Sequence, residues 1–226
     1  MRVDYWTADF NGAQEYFDGP GQERWVELHA VLSAVRPQLQ ASDQASKVGQ
    51  PIFDPKATNA RLTYEASLRG WHNVIVPPSL QPFGKDWDGG KGVVLAEWQF
   101  SNYPFLWNNI IRSEAVYQSG ERLRGLSGAV DALVIVTKSG TFPSSNSTLY
   151  YEQALAQINT VTTLGVFKMP IRLVGLGLEI GAGEIDVDWN TYNARYGRYP
   201  DHTEQRTFRI KWGRPGQYGN YSMTLY

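Results

Sequence analysis

The sequence has 226 residues, enough for one large domain or two small ones with a sizeable hydrophobic core. It contains no cysteine and three histidines, which excludes disulfides, iron–sulfur clusters and thiolate zinc sites and argues against a histidine-rich zinc site. The formal net charge of −1 gives no overall sign of a nucleic-acid partner.

The N-terminus, MRVDYWTADF, lacks the apolar segment of a signal peptide, and no run of about eighteen apolar residues is present. We therefore expect a soluble cytoplasmic protein with no membrane partner. Without thiolates or clustered histidines, any metal ion should be a hard cation held by oxygen, such as Mg²⁺.

The first half of the chain predicts two helices joined by a polar connector. Apolar residues recur at helical spacing in GQERWVELHAVLSAVRPQL, which predicts a helix that ends near Pro37. A second helix is expected from Lys56 to Arg69, because Pro55 suits a first turn and Gly70 a stop. The segment HNVIVPP that follows is typical of a short strand or an extended segment.

The second half alternates strands with helices. A strand is predicted over residues 93–100 and a helix from Pro104 to Gln118. The near-continuous apolar run DALVIVTKSG is typical of a strand covered on both faces. A Ser-rich loop at 143–148, a helix at roughly 149–163 and a second buried strand, PIRLVGLGLEI, complete this part.

This order of elements predicts an α/β fold with a mixed central β-sheet flanked by helices, in a single domain over residues 1–226. The portion after Gly181 is rich in Gly, Tyr and Arg and is expected to form loops and short strands.

The stretch DWDGGKGVVLAEWQF, residues 86–100, places Glu97 inside a run that otherwise reads as a buried strand. A buried carboxylate costs several kcal/mol unless it is paired or binds a metal. Side chains two apart on a strand share a face, so Glu97 and Gln99 should converge with Asp88 on the preceding turn. The Trp98 carbonyl would then add an oxygen ligand, which predicts a metal site at Asp88, Glu97 and Trp98.

Two other structures are compatible with parts of this stretch. A twelve-residue calcium loop fits Asp86, Asp88 and Glu97 but fails at the sixth place, where Lys91 replaces the required glycine. The alternative that stays open is a plain hairpin, with DGGKG as its turn and Glu97 on the solvent face.

Several longer motifs resemble the BglII family of type II restriction endonucleases, in the PD-(D/E)XK nuclease superfamily. The resemblance covers roughly residues 41–177, and RYGRY at 195–199 is also similar, whereas the first forty residues and those after about 200 show no likeness. The motifs that carry it are ASDQASKVG, IFDP, TN, EWQFSNYPFLWNN, RSE, FPSSNSTLYYEQA and PIRLVGL.

The resemblance implies a homodimeric, Mg²⁺-dependent bacterial endonuclease, for which Mn²⁺ should substitute. It should cut double-stranded DNA at a palindrome containing GATC, and A^GATCT is the site that the resemblance favours. Asp88, Glu97 and Gln99 fall on the family's catalytic positions. A further catalytic asparagine falls on Asn73, or on Val74 if the alignment shifts by one residue.

Three segments correspond to the family's base-reading segments. Asn can bond adenine at two atoms, Ser adapts to donors and acceptors, and Arg bonds guanine or phosphate. For the Ser/Asn segments, a turn with a helix N-cap is the alternative interpretation, and for RYGRYP it is a solvated loop. The residues concerned are Ser101, Asn102, Ser145, Asn146, Ser147, Tyr196 and Arg198.

Residues 194–214 carry six basic side chains against Asp201 and Glu204. This local excess is typical of a phosphate-contacting arm or of a solvated charged face. We therefore expect the region from about 181 to 226 to form a DNA-contacting C-terminal portion.

In the implied reaction, a bound Mg²⁺ activates a water that attacks the scissile phosphate in line. Gln99 can orient this water but cannot act as a general base. The proton would pass to metal-bound hydroxide, to bulk water or to a substrate phosphate. Two other functions remain open, namely a structure-selective repair nuclease and a noncatalytic binding module that uses its many aromatic side chains.

Overall fold

A computed structural model describes residues 4–144, 148–194, 197–215 and 221–226. No helix in these ranges is long and apolar enough to cross a membrane. The helices are α1 (Ala13–Asp18), α2 (Gln22–Ala34), α3 (Pro55–Ser67), α4 (Tyr103–Ser119) and α5 (Tyr151–Thr163), with a short 3₁₀ helix at Pro78–Phe83.

The strands form two sheets, and their order along the chain differs from their order in space. They are β1 (Asp4–Phe10), β2 (Gln38–Ala41), β3 (Pro51–Phe53), β4 (His72–Ile75), β5 (Asp86–Lys91), β6 (Val94–Trp98), β7 (Ala132–Lys138), β8 (Ile171–Gly177), β9 (Glu184–Thr191), β10 (His202–Pro215) and β11 (Tyr221–Leu225).

The larger sheet has six strands in the order β1-β8-β7-β6-β5-β4. Strands β6, β7 and β8 run parallel to one another, and β1, β5 and β4 pair antiparallel. All seven residues of β7 and of β8 are buried, as the continuous apolar runs predict for strands covered on both faces. The predicted mixed sheet flanked by helices is confirmed.

The second sheet, ordered β11-β10-β9-β2-β3, was not predicted. It is built largely from the C-terminal region, and its strand β10 has 14 residues, so the expectation of loops and short strands was wrong there. The polar connector also contains strands, since β2 and β3 add to this sheet.

The apolar core lies in two clusters on opposite faces of the six-stranded sheet. Strand β6 supplies both: Val94, Ala96 and Trp98 face the cluster shared with the second sheet, and Leu95 faces α4. Glu97 continues the row that starts at Leu95. The α4 side of β6 therefore changes from apolar to polar toward the end of the strand.

The helix boundaries follow the local chemistry of the sequence. Asp54 caps α3, since its side chain accepts hydrogen bonds from the backbone N–H groups of Lys56 and Ala57, each at 3.1 Å. Helix α4 has Pro104 in its first turn and ends at Gly120, whose φ of 64° is the left-handed conformation that favours glycine. Both helices were predicted to within two residues of their ends, α3 from Pro55 and Gly70 and α4 from its opening proline.

Strand β1 is fixed to its neighbour β8 by a buried ion pair. Arg172 donates to both carboxylate oxygens of Asp9, at 2.7 and 3.0 Å, and its guanidinium lies 4.7 Å from the Phe17 ring centre and 4.4 Å from that of Trp25. The Arg172 side chain is 6% exposed. Removing one partner of such a pair leaves the other charge desolvated without compensation.

We expect Arg172→Leu to lower the free energy of unfolding by about 3 kcal/mol, because Asp9 would keep a poorly hydrated charge. Urea unfolding followed by circular dichroism measures this difference. Arg209→Leu is the matched control: Arg209 is 72% exposed and 3.8 Å from Glu184, so its loss should change stability by less than about 0.5 kcal/mol. Equal effects of the two substitutions would contradict the role given to Arg172.

Candidate active site

Glu97 and Gln99 lie at the end of β6 and point to the same side, toward α4. Each is 4% exposed. Asn109 on α4 donates to both, at 3.2 Å to Glu97 Oε2 and 2.9 Å to Gln99 Oε1. The alternative with Glu97 on the solvent face is wrong: the hairpin exists, but its face here is covered by α4.

Arg112, one turn after Asn109, compensates the buried charge of Glu97. Its guanidinium pairs with Glu97 Oε1, and both side chains are nearly inaccessible. Arg112 also donates to the carbonyl oxygen of Asp86 at 2.7 Å and stacks over Trp87, 5.1 Å from the ring centre. These contacts fix the cation in one position against the carboxyl group.

The register of the β5–β6 hairpin brings Asp88 opposite Glu97, because Gly89 pairs with Ala96, and the other edge of β5 carries a break in register. His72 pairs with Gly90 but Val74 pairs with Trp87, so Asp88 and Gly89 together oppose a single residue of β4. Such bulges re-aim side chains and are common beside active sites.

The Asp88 carboxylate accepts from the backbone N–H of Trp98 at 2.8 Å, on the residue that follows Glu97. Burial raises the pKa of Glu97 well above its ordinary value, although Arg112 opposes the shift. Burial also raises the pKa of Asp88, and the Trp98 N–H partly offsets this. Two adjacent carboxyl groups in this environment suit a divalent cation, which would take the place of a shared proton.

Within the described ranges, no three side chains of the His, Cys, Asp or Glu type are placed to hold a metal ion together. A cation at Asp88 and Glu97 therefore needs oxygen from another source. The sequence predicts that the backbone carbonyl oxygen of Trp98, the last residue of β6, supplies this additional ligand.

Asn73, the residue of β4 opposite the bulge, is exposed and donates to Asp86 Oδ2 at 2.9 Å. It thus lies beside the acidic group without a recorded contact to Asp88. Val74, the alternative at this position, is 1% exposed in the apolar core and has no polar side-chain atom. Of the two, only Asn73 offers a polar group at this edge of the sheet.

Ser101 and Asn102 are exposed and lie between β6 and α4. Asn102 occupies the N-cap position, but its side chain makes no cap hydrogen bond, contrary to the interpretation of this segment as an ordinary cap. The Ser101 carbonyl accepts from the backbone N–H of Leu149 at 3.1 Å, which joins this segment to the chain just after the Ser-rich loop. The other predicted readout residues Ser145, Asn146, Ser147 and Tyr196 lie outside the described residues.

Arg198 and Asp88 line one cleft of about 290 Å³, although 110 positions separate them in sequence. Lys56 of α3 lies in the same cleft and donates to the carbonyl oxygen of Gly197 at 2.8 Å. The cleft therefore combines a carboxylate with two cations, a composition suited to a phosphate group bridged by a metal. Asn59, Ala60, Thr63 and Tyr199 complete its lining.

Sequence analysis missed Asn109, Arg112 and Lys56. Asn109 and Arg112 are three positions apart on α4 and so share the face that meets β6. Both lie inside motifs that carry the family resemblance, so their spacing relative to Glu97 and Gln99 was a usable signal. No local sequence signal pointed to Lys56, because its contact with Gly197 joins segments that are 141 positions apart.

Some of the basic side chains in the C-terminal stretch form ion pairs with nearby glutamates. On β10, Arg206 pairs with Glu204 and Arg209 lies 3.8 Å from Glu184, with all four side chains well exposed. Arg198, by contrast, lies in the cleft with Asp88.

Lys138, the last residue of β7, is 1% exposed and donates to the carbonyl oxygen of Leu149 at 3.0 Å. Its ammonium lies over the rings of Phe53 and Tyr150, at 5.5 and 5.2 Å from their centres. Burial lowers the pKa of Lys138 to about 7. A buried lysine thus anchors the chain immediately after the Ser-rich loop.

Comparison with known proteins gives consistent matches. A family model described as restriction endonuclease BglII/BglIII matches residues 5–176. The type II restriction enzyme BglII of Bacillus subtilis is 41% identical over 200 residues, covering 88% of this chain and 86% of that protein. The likeness thus extends into the first forty residues, where sequence analysis had recognised none.

Two crystal structures of BglII match the whole chain. The complex with a DNA 16-mer has a TM-score of 0.87 at 35% identity, and free BglII has a TM-score of 0.69 at 31% identity, each covering 100% of both chains. The fold of this protein superposes more closely on the DNA-bound form.

Replacing Lys138 should make stability depend differently on pH. The folded-state pKa of about 7 lies below the unfolded value of about 10.4, so the unfolded chain binds the extra proton between these values. The wild-type protein should therefore gain about 1.4 kcal/mol per pH unit relative to Lys138→Met as pH rises from about 7 toward 10.

Urea unfolding of both proteins from pH 6 to 9.5 measures this difference. Below about pH 7 the difference should become constant, with the methionine variant at its greatest relative stability. The matched control is Lys168→Met, because Lys168 is exposed and should leave the pH profile unchanged. A difference between wild type and Lys138→Met that does not vary with pH would contradict the shifted pKa.

Proposed function

The chain belongs to the BglII/BglIII family of restriction endonucleases, and on this basis we propose that it cuts double-stranded DNA at a palindrome containing GATC, most simply A^GATCT. The products would carry 5′-GATC overhangs and 5′ phosphates. The observation that carries the proposal is the position of half-buried Asp88 beside buried Glu97 at the end of β6, next to the exposed segment with Ser101 and Asn102.

Asp88, Glu97 and the Trp98 carbonyl would hold Mg²⁺, with Mn²⁺ as a substitute. The ion would supply charge stabilisation at the phosphate and acidify a bound water. Arg112 and Asn109 hold the Glu97 carboxyl group in place. Gln99 orients the attacking water by hydrogen bonding and leaves its proton to another acceptor, because an amide is not basic at neutral pH. Asn73 would assist from the exposed side of the bulge.

The DNA backbone would enter the cleft that contains Lys56, Asp88 and Arg198. Both cations would contact phosphate or, for Arg198, a guanine edge. Ser101, Asn102, Ser145, Asn146, Ser147 and Tyr196 would contact bases, and residues from about 181 to 226 would form the DNA-contacting C-terminal portion.

A palindromic site requires two active centres related by a two-fold axis, so the active form would be a homodimer in the bacterial cytoplasm. Helix α4 exposes Phe105 and Ile111, at 50% and 39%, which offers apolar surface for a partner subunit.

Incubation with plasmid DNA and Mg²⁺ separates this function from the two alternatives. Discrete fragments with a common end sequence support site-specific restriction, and sequencing those ends identifies the outer base pair. Nicks that follow DNA shape would indicate a structure-selective nuclease, and intact DNA a binding module.

Asp88→Ala should abolish cleavage, because it removes one of the two carboxyl groups that would hold the ion. The fold and specific DNA binding should persist. Cleavage of a plasmid with one site and a gel-shift assay measure the two properties. Asp131→Ala, which removes an exposed carboxylate immediately before β7, is the control and should remain active. Full Mg²⁺-dependent activity of Asp88→Ala would remove Asp88 from the metal site.

Asn102→Ala and Lys56→Ala should have different effects on specificity. Loss of a base contact at Asn102 should weaken cognate binding by about 1–3 kcal/mol and leave binding to a site with one base changed nearly unaltered. Loss of a phosphate contact at Lys56 should weaken both and reduce the salt dependence of binding. Titration of each variant with both duplexes at several salt concentrations measures this. Equal losses on both duplexes for Asn102→Ala would exclude it from base readout.

A further inference from the structure

The Gln99 carboxamide connects the candidate active site to the exposed segment before α4. Its oxygen accepts from Asn109 at 2.9 Å, and its nitrogen donates to Ser101 Oγ at 2.9 Å and to the Asn102 carbonyl oxygen at 3.4 Å. Gln99 is buried, whereas Ser101 and Asn102 are exposed. One buried side chain therefore contacts both the residue that holds Glu97 and the segment expected to read bases.

The direction of these hydrogen bonds follows from the Glu97 carboxyl group. Asn109 turns its NH₂ group toward Glu97 Oε2 and donates to it at 3.2 Å. The same NH₂ group meets Gln99, which must present its oxygen there. The Gln99 NH₂ group consequently faces Ser101, whose hydroxyl oxygen accepts on the inner side. The Ser101 hydroxyl is then left to donate on its exposed side.

We propose that Gln99 couples base recognition to cleavage, an inference that rests on the proposed function. Ser101 presents a donor, so it suits an acceptor on a base edge, such as purine N7 or thymine O4. A base contact polarises the Ser101 hydroxyl and strengthens its hold on the Gln99 amide. Gln99 shares a face with Glu97, where the attacking water is oriented. A wrong base removes that contact and leaves Gln99 less well positioned.

In this coupling, Ser101 is a positioning residue for the reaction and determines specificity through Gln99. A Ser101 that merely contacts DNA would affect the cleavage rate in the same proportion whatever residue occupies position 99. A Ser101 that acts through Gln99 has no effect on that rate once Gln99 is replaced. The two cases differ in a double-mutant cycle.

The test measures single-turnover cleavage rates at saturating enzyme, with Mg²⁺ and a duplex that carries the mapped site. Ser101→Ala should lower the rate about tenfold in the wild-type background, as expected for one lost hydrogen bond. In the Gln99→Met background the same substitution should change the rate less than about twofold. Ser101→Thr, which keeps the hydroxyl, should restore the rate to within a few fold. Duplex binding in Ca²⁺, measured separately, removes any contribution of affinity.

Ser67→Ala is the matched control, since Ser67 is an exposed hydroxyl at the end of α3 and should leave the rate unchanged. If Gln99→Met does not fold, Gln99→Leu supplies the second background, because its side chain can neither donate to Ser101 nor accept from it. Equal rate losses from Ser101→Ala in both backgrounds would overturn the coupling while leaving the nuclease assignment intact. Absence of cleavage by the wild-type protein would overturn the proposed function and the coupling together.

Discussion

The burial of one carboxyl group, Glu97, is the constraint around which the site is built. At 4% exposure it loses its water, and an unpaired carboxylate there would cost several kcal/mol. Arg112 offsets this cost with a cation whose position is fixed by two backbone carbonyl groups and the Trp87 ring. Because these contacts fix the Arg112 guanidinium in place, the ion pair holds Glu97 in one orientation beside Asp88.

Three ordinary features of local structure place the side chains that satisfy this constraint. Strand alternation puts Glu97 and Gln99 on one face, helical spacing puts Asn109 and Arg112 opposite them, and the β5–β6 register puts Asp88 opposite Glu97. None of these is strained or rare alone. A one-residue shift in any of them would separate the carboxyl groups or bury an unpaired charge, so the register of three elements is tied to the same few atoms.

How much of this could be predicted depended on whether the signal was local. Helix α4 was predicted from Pro104 and its apolar spacing, and β7 and β8 from continuous apolar runs. The second sheet had a signal too, because apolar residues alternate along β9 and β10, but the Gly- and Tyr-rich composition around them suggested loops. No local sequence signal predicted the cleft lined by Lys56, Asp88 and Arg198, because it depends on how α3 and the C-terminal region pack.

In the proposed reaction, the Gln99 amide cannot accept the proton of the attacking water, so another group must be the acceptor. Lys138 has a pKa of about 7 and would be a suitable base by that measure alone. It lies on β7, in the row with Val134 and Val136 that faces the other core cluster, and packs over Phe53. Gln99 faces α4 on the opposite side of the sheet. Its ammonium group is held by the Leu149 carbonyl oxygen and burial is the cause of its low pKa, so we assign Lys138 to anchoring the chain after the Ser-rich loop and not to the proposed reaction.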